Sequence, residues 1–92
     1  MRKYSKPDLN HAEIRDGLRA IIGYWSVLDT KDVGSGFPDL VVSWKKKIYF
    51  LEIKSTNYDD LTPAEILFRN NWPGHYKVIM SLDDALREIG LL

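Results

Sequence analysis

Seven residues, Ile48 to Lys54, constrain the fold of this 92-residue chain more than any others. Read as a strand, they place Ile48, Phe50, Glu52 and Lys54 on one face and Tyr49, Leu51 and Ile53 on the other. Both faces are largely apolar, so the strand belongs in the middle of a sheet. A central strand that carries Glu52 and Lys54 pays a desolvation cost unless both groups are paired or ligated. Local rules are broken in this way at functional sites.

The remaining elements follow from periodicity and punctuation. Ile14, Leu18, Ile21, Ile22 and Trp25 recur at helical spacing behind Asn10, a candidate N-cap with Glu13 three residues later. This predicts a helix from about His11 to Ile22, ended near Gly23. Tyr24 to Leu28 is aromatic and β-branched enough for a strand, Thr30 to Pro38 has the Gly-Pro content of a loop, and Asp39 to Trp44 reads as a second strand. Lys45 and Lys46 form a turn into the central strand. Thr62-Pro63-Ala64-Glu65 is a capping box with Pro at the first helical position, opening a helix that runs to about Asn71 and stops at Trp72-Pro73-Gly74. Tyr76 to Met80 is a fourth strand, and Ser81-Leu82-Asp83-Asp84 caps a last helix through Ile89, with Gly90 at its end. The expected order is αβββαβα: an α/β fold with a mixed central sheet flanked by helices, as a single domain over residues 1–92.

Thirteen Lys and Arg balance thirteen Asp and Glu, so net charge alone gives no case for a nucleic-acid partner. Separate acidic and basic faces would reconcile neutrality with one. No cysteine is present, which excludes disulfide scaffolds, thiolate zinc sites and cysteine nucleophiles. The longest uncharged run, Ala20 to Leu28, is far short of the roughly 20 residues that span a bilayer, and Met1 to Asp8 lacks a signal-peptide apolar region. The expectation is a soluble cytoplasmic protein with no membrane partner, whose small core would benefit from dimerisation.

The chemistry concentrates at Asp39, Glu52 and Lys54. If the turn at Trp44 to Lys47 closes a short hairpin, Trp44 faces Lys47 and Ser43 faces Ile48, so Asp39 stands opposite Glu52. Directly opposed like charges are destabilising. A hard divalent cation removes the conflict, because Mg²⁺ is typically held by one or two carboxylates together with water and phosphate oxygens. Lys54 falls on the Glu52 side of the strand, where it could orient or activate a water. These are parts for metal-assisted phosphodiester hydrolysis. The plainer alternative is that Asp39 simply begins a strand after the Gly-Pro loop and that Glu52 and Lys54 form an ordinary same-face salt bridge.

Gly36-Phe37-Pro38-Asp39-Leu40-Val41-Val42, then Leu51-Glu52-Ile53-Lys54, then Leu61-Thr62-Pro63-Ala64-Glu65 resemble the PD-(D/E)XK nuclease superfamily. More narrowly, the chain is similar to a stand-alone VRR-NUC domain of the phage and bacterial type, from Asn10 to the Ser81-Leu82-Asp83-Asp84-Ala85-Leu86 segment. The resemblance implies a restriction-endonuclease-like core and a Mg²⁺- or Mn²⁺-dependent DNA endonuclease. It implies Asp39 and Glu52 as metal ligands completed by the Ile53 carbonyl, Lys54 as catalytic lysine, and Glu13 beside the metal. Where the family usually carries Gln shortly after the Leu-Thr-Pro turn, this chain reads Ile66, which removes an expected polar contact. Related stand-alone domains resemble Holliday junction resolvases, which implies a homodimer acting on branched DNA. The alternative is a nuclease-fold binding or assembly module without turnover.

Other features have plainer readings. Lys45, Lys46 and Lys47 make a basic hairpin tip that suits a solvated turn and could touch phosphates. Trp25, Trp44 and Trp72 are expected as core or interface anchors, and His11 and His75 as surface or capping residues. Gly34-Ser35-Gly36 supplies a tight entry to Asp39. Gly17, one turn beyond Glu13, would let the sheet approach the first helix.

Overall fold

The structure, a computed structural model, describes residues 6–92, with side chains from residue 9 onward. Seven elements appear in the expected order: α1 (Lys6–Ile22), β1 (Val27–Asp29), β2 (Leu40–Trp44), β3 (Lys47–Ile53), α2 (Pro63–Asn71), β4 (His75–Ile79) and α3 (Leu82–Glu88). They build a mixed α/β fold on one four-stranded sheet of order β1-β2-β3-β4. The first three strands run antiparallel, and β4 joins β3 in parallel after the α2 crossover. β3 is therefore interior, as its two apolar faces require. Among the described residues, no helix is long and apolar enough to cross a membrane.

The two sheet faces are covered unequally. Leu40, Val42, Tyr49, Leu51 and Ile79 turn towards α1 and α3, where they close the main core with Ile14, Leu18, Ala85, Leu86 and Ile89. Phe50 and Tyr76 belong to the opposite face, under α2. There Phe50 stacks on Trp72 with centroids 4.2 Å apart, and Phe68 packs against Phe37, Phe50 and Tyr76. α2 itself buries no residue completely.

Four sequence expectations change. α1 begins at Lys6, so Asn10 lies inside the helix and is no N-cap. Its side-chain amide instead donates to the carbonyls of Lys54 and Met80, at 3.3 and 3.2 Å, tying α1 to the ends of β3 and β4. Tyr24 to Ser26 forms a 3-10 turn rather than the start of a strand, because Gly23 leaves the helix with φ of 105° and Arg19 lies over the Tyr24 ring while bonding the Val27 carbonyl. Trp25 is consequently 85% exposed and Ile21 is exposed as well, so the buried stripe of α1 is His11, Ile14 and Leu18. The close approach at Gly17 comes from Leu82 of α3, not from the sheet.

The β2-β3 register matches the expectation: Trp44 pairs with Lys47, Ser43 with Ile48 and Leu40 with Leu51. Lys45 and Lys46 form a two-residue turn with φ of 51° and 67°. Positive φ at both positions is what a twisted two-residue hairpin requires, although Asn-Gly would meet it with less strain. α2 opens with the complete capping box, Thr62 accepting from the Glu65 amide and Glu65 accepting from the Thr62 amide.

Candidate functional site

Two loops and two strands bring the acidic groups together. Thr30, just past β1, bonds the Pro38 carbonyl through its hydroxyl at 2.7 Å and the Asp39 carbonyl through its amide at 2.9 Å. Gly36 lies against the backbone of Ala64 with φ of 82°, where any Cβ would collide with the Ala64 carbonyl. The loop before β2 is thus pinned between β1 and the start of α2, which fixes Asp39. One step beyond the Leu40–Leu51 pair, Asp39 faces Glu52, and its carboxylate accepts the Ile53 amide at 2.8 Å. In an extended residue the amide and carbonyl leave the strand on the same edge, so the Ile53 carbonyl is directed to this side too.

A cavity of 230 Å³ opens at this point, lined by Asp39, Glu52, Ile53, Lys54 and Glu65, with His11 and Lys31 at its wall. Glu52 is only 2% exposed, and its Oε1 has no hydrogen-bond partner among the described residues. Lys54 Nζ stands 2.8 Å from Glu65 Oε1 and 3.6 Å from Glu52 Oε2. Burial, reinforced by the Asp39 charge and by Glu65, pushes the Glu52 carboxyl up to about 9 from an ordinary 4.5. Burial works against the Lys54 ammonium, but the Glu65 hydrogen bond and the surrounding carboxylates outweigh it and raise its pKa. Glu65 is lowered: burial alone would raise it, yet Lys54 and the Thr62 amide hold the carboxylate ionised. Burial followed by the Glu52 and Glu65 charges raises the Tyr76 hydroxyl.

Comparison with protein-family models, with curated proteins and with solved structures returned no match. The site therefore rests on its own geometry. Among the described residues, no group of three or more His, Asp and Glu side chains is placed to hold a metal by itself. Two opposed carboxylates with a carbonyl beside them suit a different arrangement, a hard cation that takes its remaining ligands from water and substrate. The unsatisfied, buried Oε1 of Glu52 fits that donor set, since a buried carboxylate oxygen without a partner is costly.

Asp39, Glu52, Ile53 and Lys54 are brought together as the sequence reading grouped them. Glu13 is not: it is exposed and lines a separate depression with Leu9, Asn10, Ser55 and Met80. The α1 residue that reaches the carboxylate cavity is His11, which is 6% exposed rather than superficial and stands 3.0 Å from Asp29 through Nε2. Asp29 is in turn held by Arg15 at 3.0 Å. From α2 it is Glu65, one position before Ile66, that enters the cavity and accepts from Lys54 at 2.8 Å, while Ile66 is 38% exposed. A capping box explained Glu65 completely at the sequence level, and nothing in that pattern shows that the oxygen capping the helix also holds Lys54.

Proposed function

We propose that this chain is a metal-dependent DNA endonuclease with a restriction-endonuclease-like core, a stand-alone nuclease domain of the PD-(D/E)XK, VRR-NUC type. The observation that carries the reading is Glu52, buried opposite Asp39 with an unpartnered oxygen, two residues from an ion-paired lysine. Asp39, Glu52 and the Ile53 carbonyl would hold Mg²⁺ or Mn²⁺. When bound there, the cation supplies Lewis-acid polarisation of the scissile phosphate and of its attacking water.

The protein groups divide the remaining work. Asp39 is anchored by the Ile53 amide, so its position does not depend on a bound ion. Lys54 stays protonated at neutral pH because the Glu65 carboxylate holds its ammonium, which makes it a donor that orients water and offsets charge on the phosphate rather than a base. Glu65 keeps the ammonium at the cavity. The short edge strand β1, with Leu28 exposed in it and Trp25 exposed just before it, supports the homodimer in which two such sites would act on branched DNA such as a four-way junction.

A cleavage assay on linear duplex, flap, single-stranded and four-way substrates with Mg²⁺ and Mn²⁺ tests the proposal. Metal-dependent cutting lost in Asp39→Asn and Lys54→Ala supports it. Absence of cutting on every substrate favours the binding or assembly module, and a monomeric mass in light scattering removes the junction-resolving form.

A further inference from the structure

A second cleft, of 490 Å³, runs along the free edge of β4 between α2 and α3. Three cations from three elements line it, Arg69 of α2, Lys77 of β4 and Arg87 of α3, against two carboxylates, Asp59 and Asp84. Their charges are not equally occupied. Arg87 pairs with Asp84, whose carboxylate also takes the Met80 amide and the Tyr58 hydroxyl. Among the described residues the Arg69 side chain bonds only its neighbour Asn70, at 3.3 Å, and the Lys77 side chain makes no hydrogen bond or ion pair. The cleft therefore presents two cations that make no ion pair among the described residues, beside the outer backbone groups of the β4 edge. Backbone amides and flexible cations together are the usual donors to a phosphodiester chain.

Its position relative to the carboxylate cavity matters as much as its charge. Val78, on the cleft wall, is the register partner of Glu52, so one interstrand spacing of about 5 Å separates the two strands there. Tyr76, another wall residue, places on the α2 side a buried hydroxyl that has no hydrogen-bond partner among the described residues. The hairpin tip is the alternative basic surface. Lys45 and Lys46 lie six to seven residues along β2 from Asp39, which is about 20 Å at strand rise. An exposed lysine at the middle of β4 also discourages pairing of that edge with another strand, so a polyanion suits the cleft better than a second copy.

We propose that the β4-edge cleft carries the phosphate backbone of the DNA leading away from the carboxylate cavity, with Arg69 and Lys77 as its contacts. This rests on the nuclease reading, and DNA binding separates the two. Fluorescence anisotropy with a labelled duplex and a labelled four-way junction, in EDTA and over a range of KCl, is compared for the parent, Arg69→Ala/Lys77→Ala and Lys45→Ala/Lys46→Ala. Both doubles remove the same charge from exposed positions. The cleft double should bind at least tenfold more weakly and reduce the slope of log K against log salt by about 2, near one unit per lost phosphate contact, while the tip double keeps the parent slope. Equal weakening by the two doubles, or parent-like binding by the cleft double, overturns the assignment. A parent that fails to bind DNA at low salt overturns the nuclease reading and the cleft with it.

Discussion

Replacing Glu52 by Gln should make the protein more stable at alkaline pH. The carboxyl is buried opposite Asp39 and its pKa is pushed up to about 9 from 4.5. A raised acid pKa means that the folded protein keeps a proton which the unfolded chain releases above about pH 4.5. Stability from this group is complete below that pH, declines as pH rises, and levels off once pH passes the folded value. Between pH 5 and 8 the decline is at most about 4 kcal/mol, three units at roughly 1.4 kcal/mol each, and relaxation of the pocket will bring it to a few kcal/mol. That is a large part of the stability of a small domain. Gln keeps the shape and cannot ionise. Urea denaturation in EDTA at half-unit pH steps should show the parent losing up to a few kcal/mol across this range that Glu52→Gln, which has no carboxyl to ionise, does not lose. Parallel pH profiles for the two proteins would refute the buried, proton-retaining carboxyl.

Other outcomes follow from single contacts. Glu65→Gln should retain thermal stability, since Gln serves a capping box as well as Glu, but lower metal-dependent cleavage at least tenfold by releasing Lys54; Thr62→Ala should do the reverse, costing about 1 kcal/mol in denaturation with cleavage kept. Lys45→Asn/Lys46→Gly should raise stability by about 1 kcal/mol in urea denaturation, because both positions have positive φ. Glu13→Gln should leave cleavage within twofold of the parent in the same assay, as its side chain lies outside the carboxylate cavity.

Much of this arrangement was legible because two short-range rules were sufficient. A two-residue turn sets the register of a hairpin, so Asp39 opposite Glu52 could be read by counting from Trp44 and Lys47. The Thr62 capping box is local and survives any tertiary context. The start of α1 was misplaced because Asn10 satisfies the N-cap pattern, whereas its amide serves carbonyls 44 and 70 residues away. Trp25 fits the helical stripe, but Gly23 ends the helix before it, and Ile21, still inside α1, lies off the strip that His11, Ile14 and Leu18 bury. His11 and Glu65 were overlooked as site residues for a related reason: their partners, Asp29 and Lys54, come from other elements and leave no mark in local spacing.

In the proposed site, Asp39 and Glu52 would hold one divalent cation. Isothermal titration of Mn²⁺ into the parent and into Asp39→Asn/Glu52→Gln measures this without requiring turnover. Saturable binding near one equivalent per chain is expected for the parent and none for the double variant, with both proteins folded by circular dichroism. A double variant that binds Mn²⁺ as tightly as the parent would contradict it.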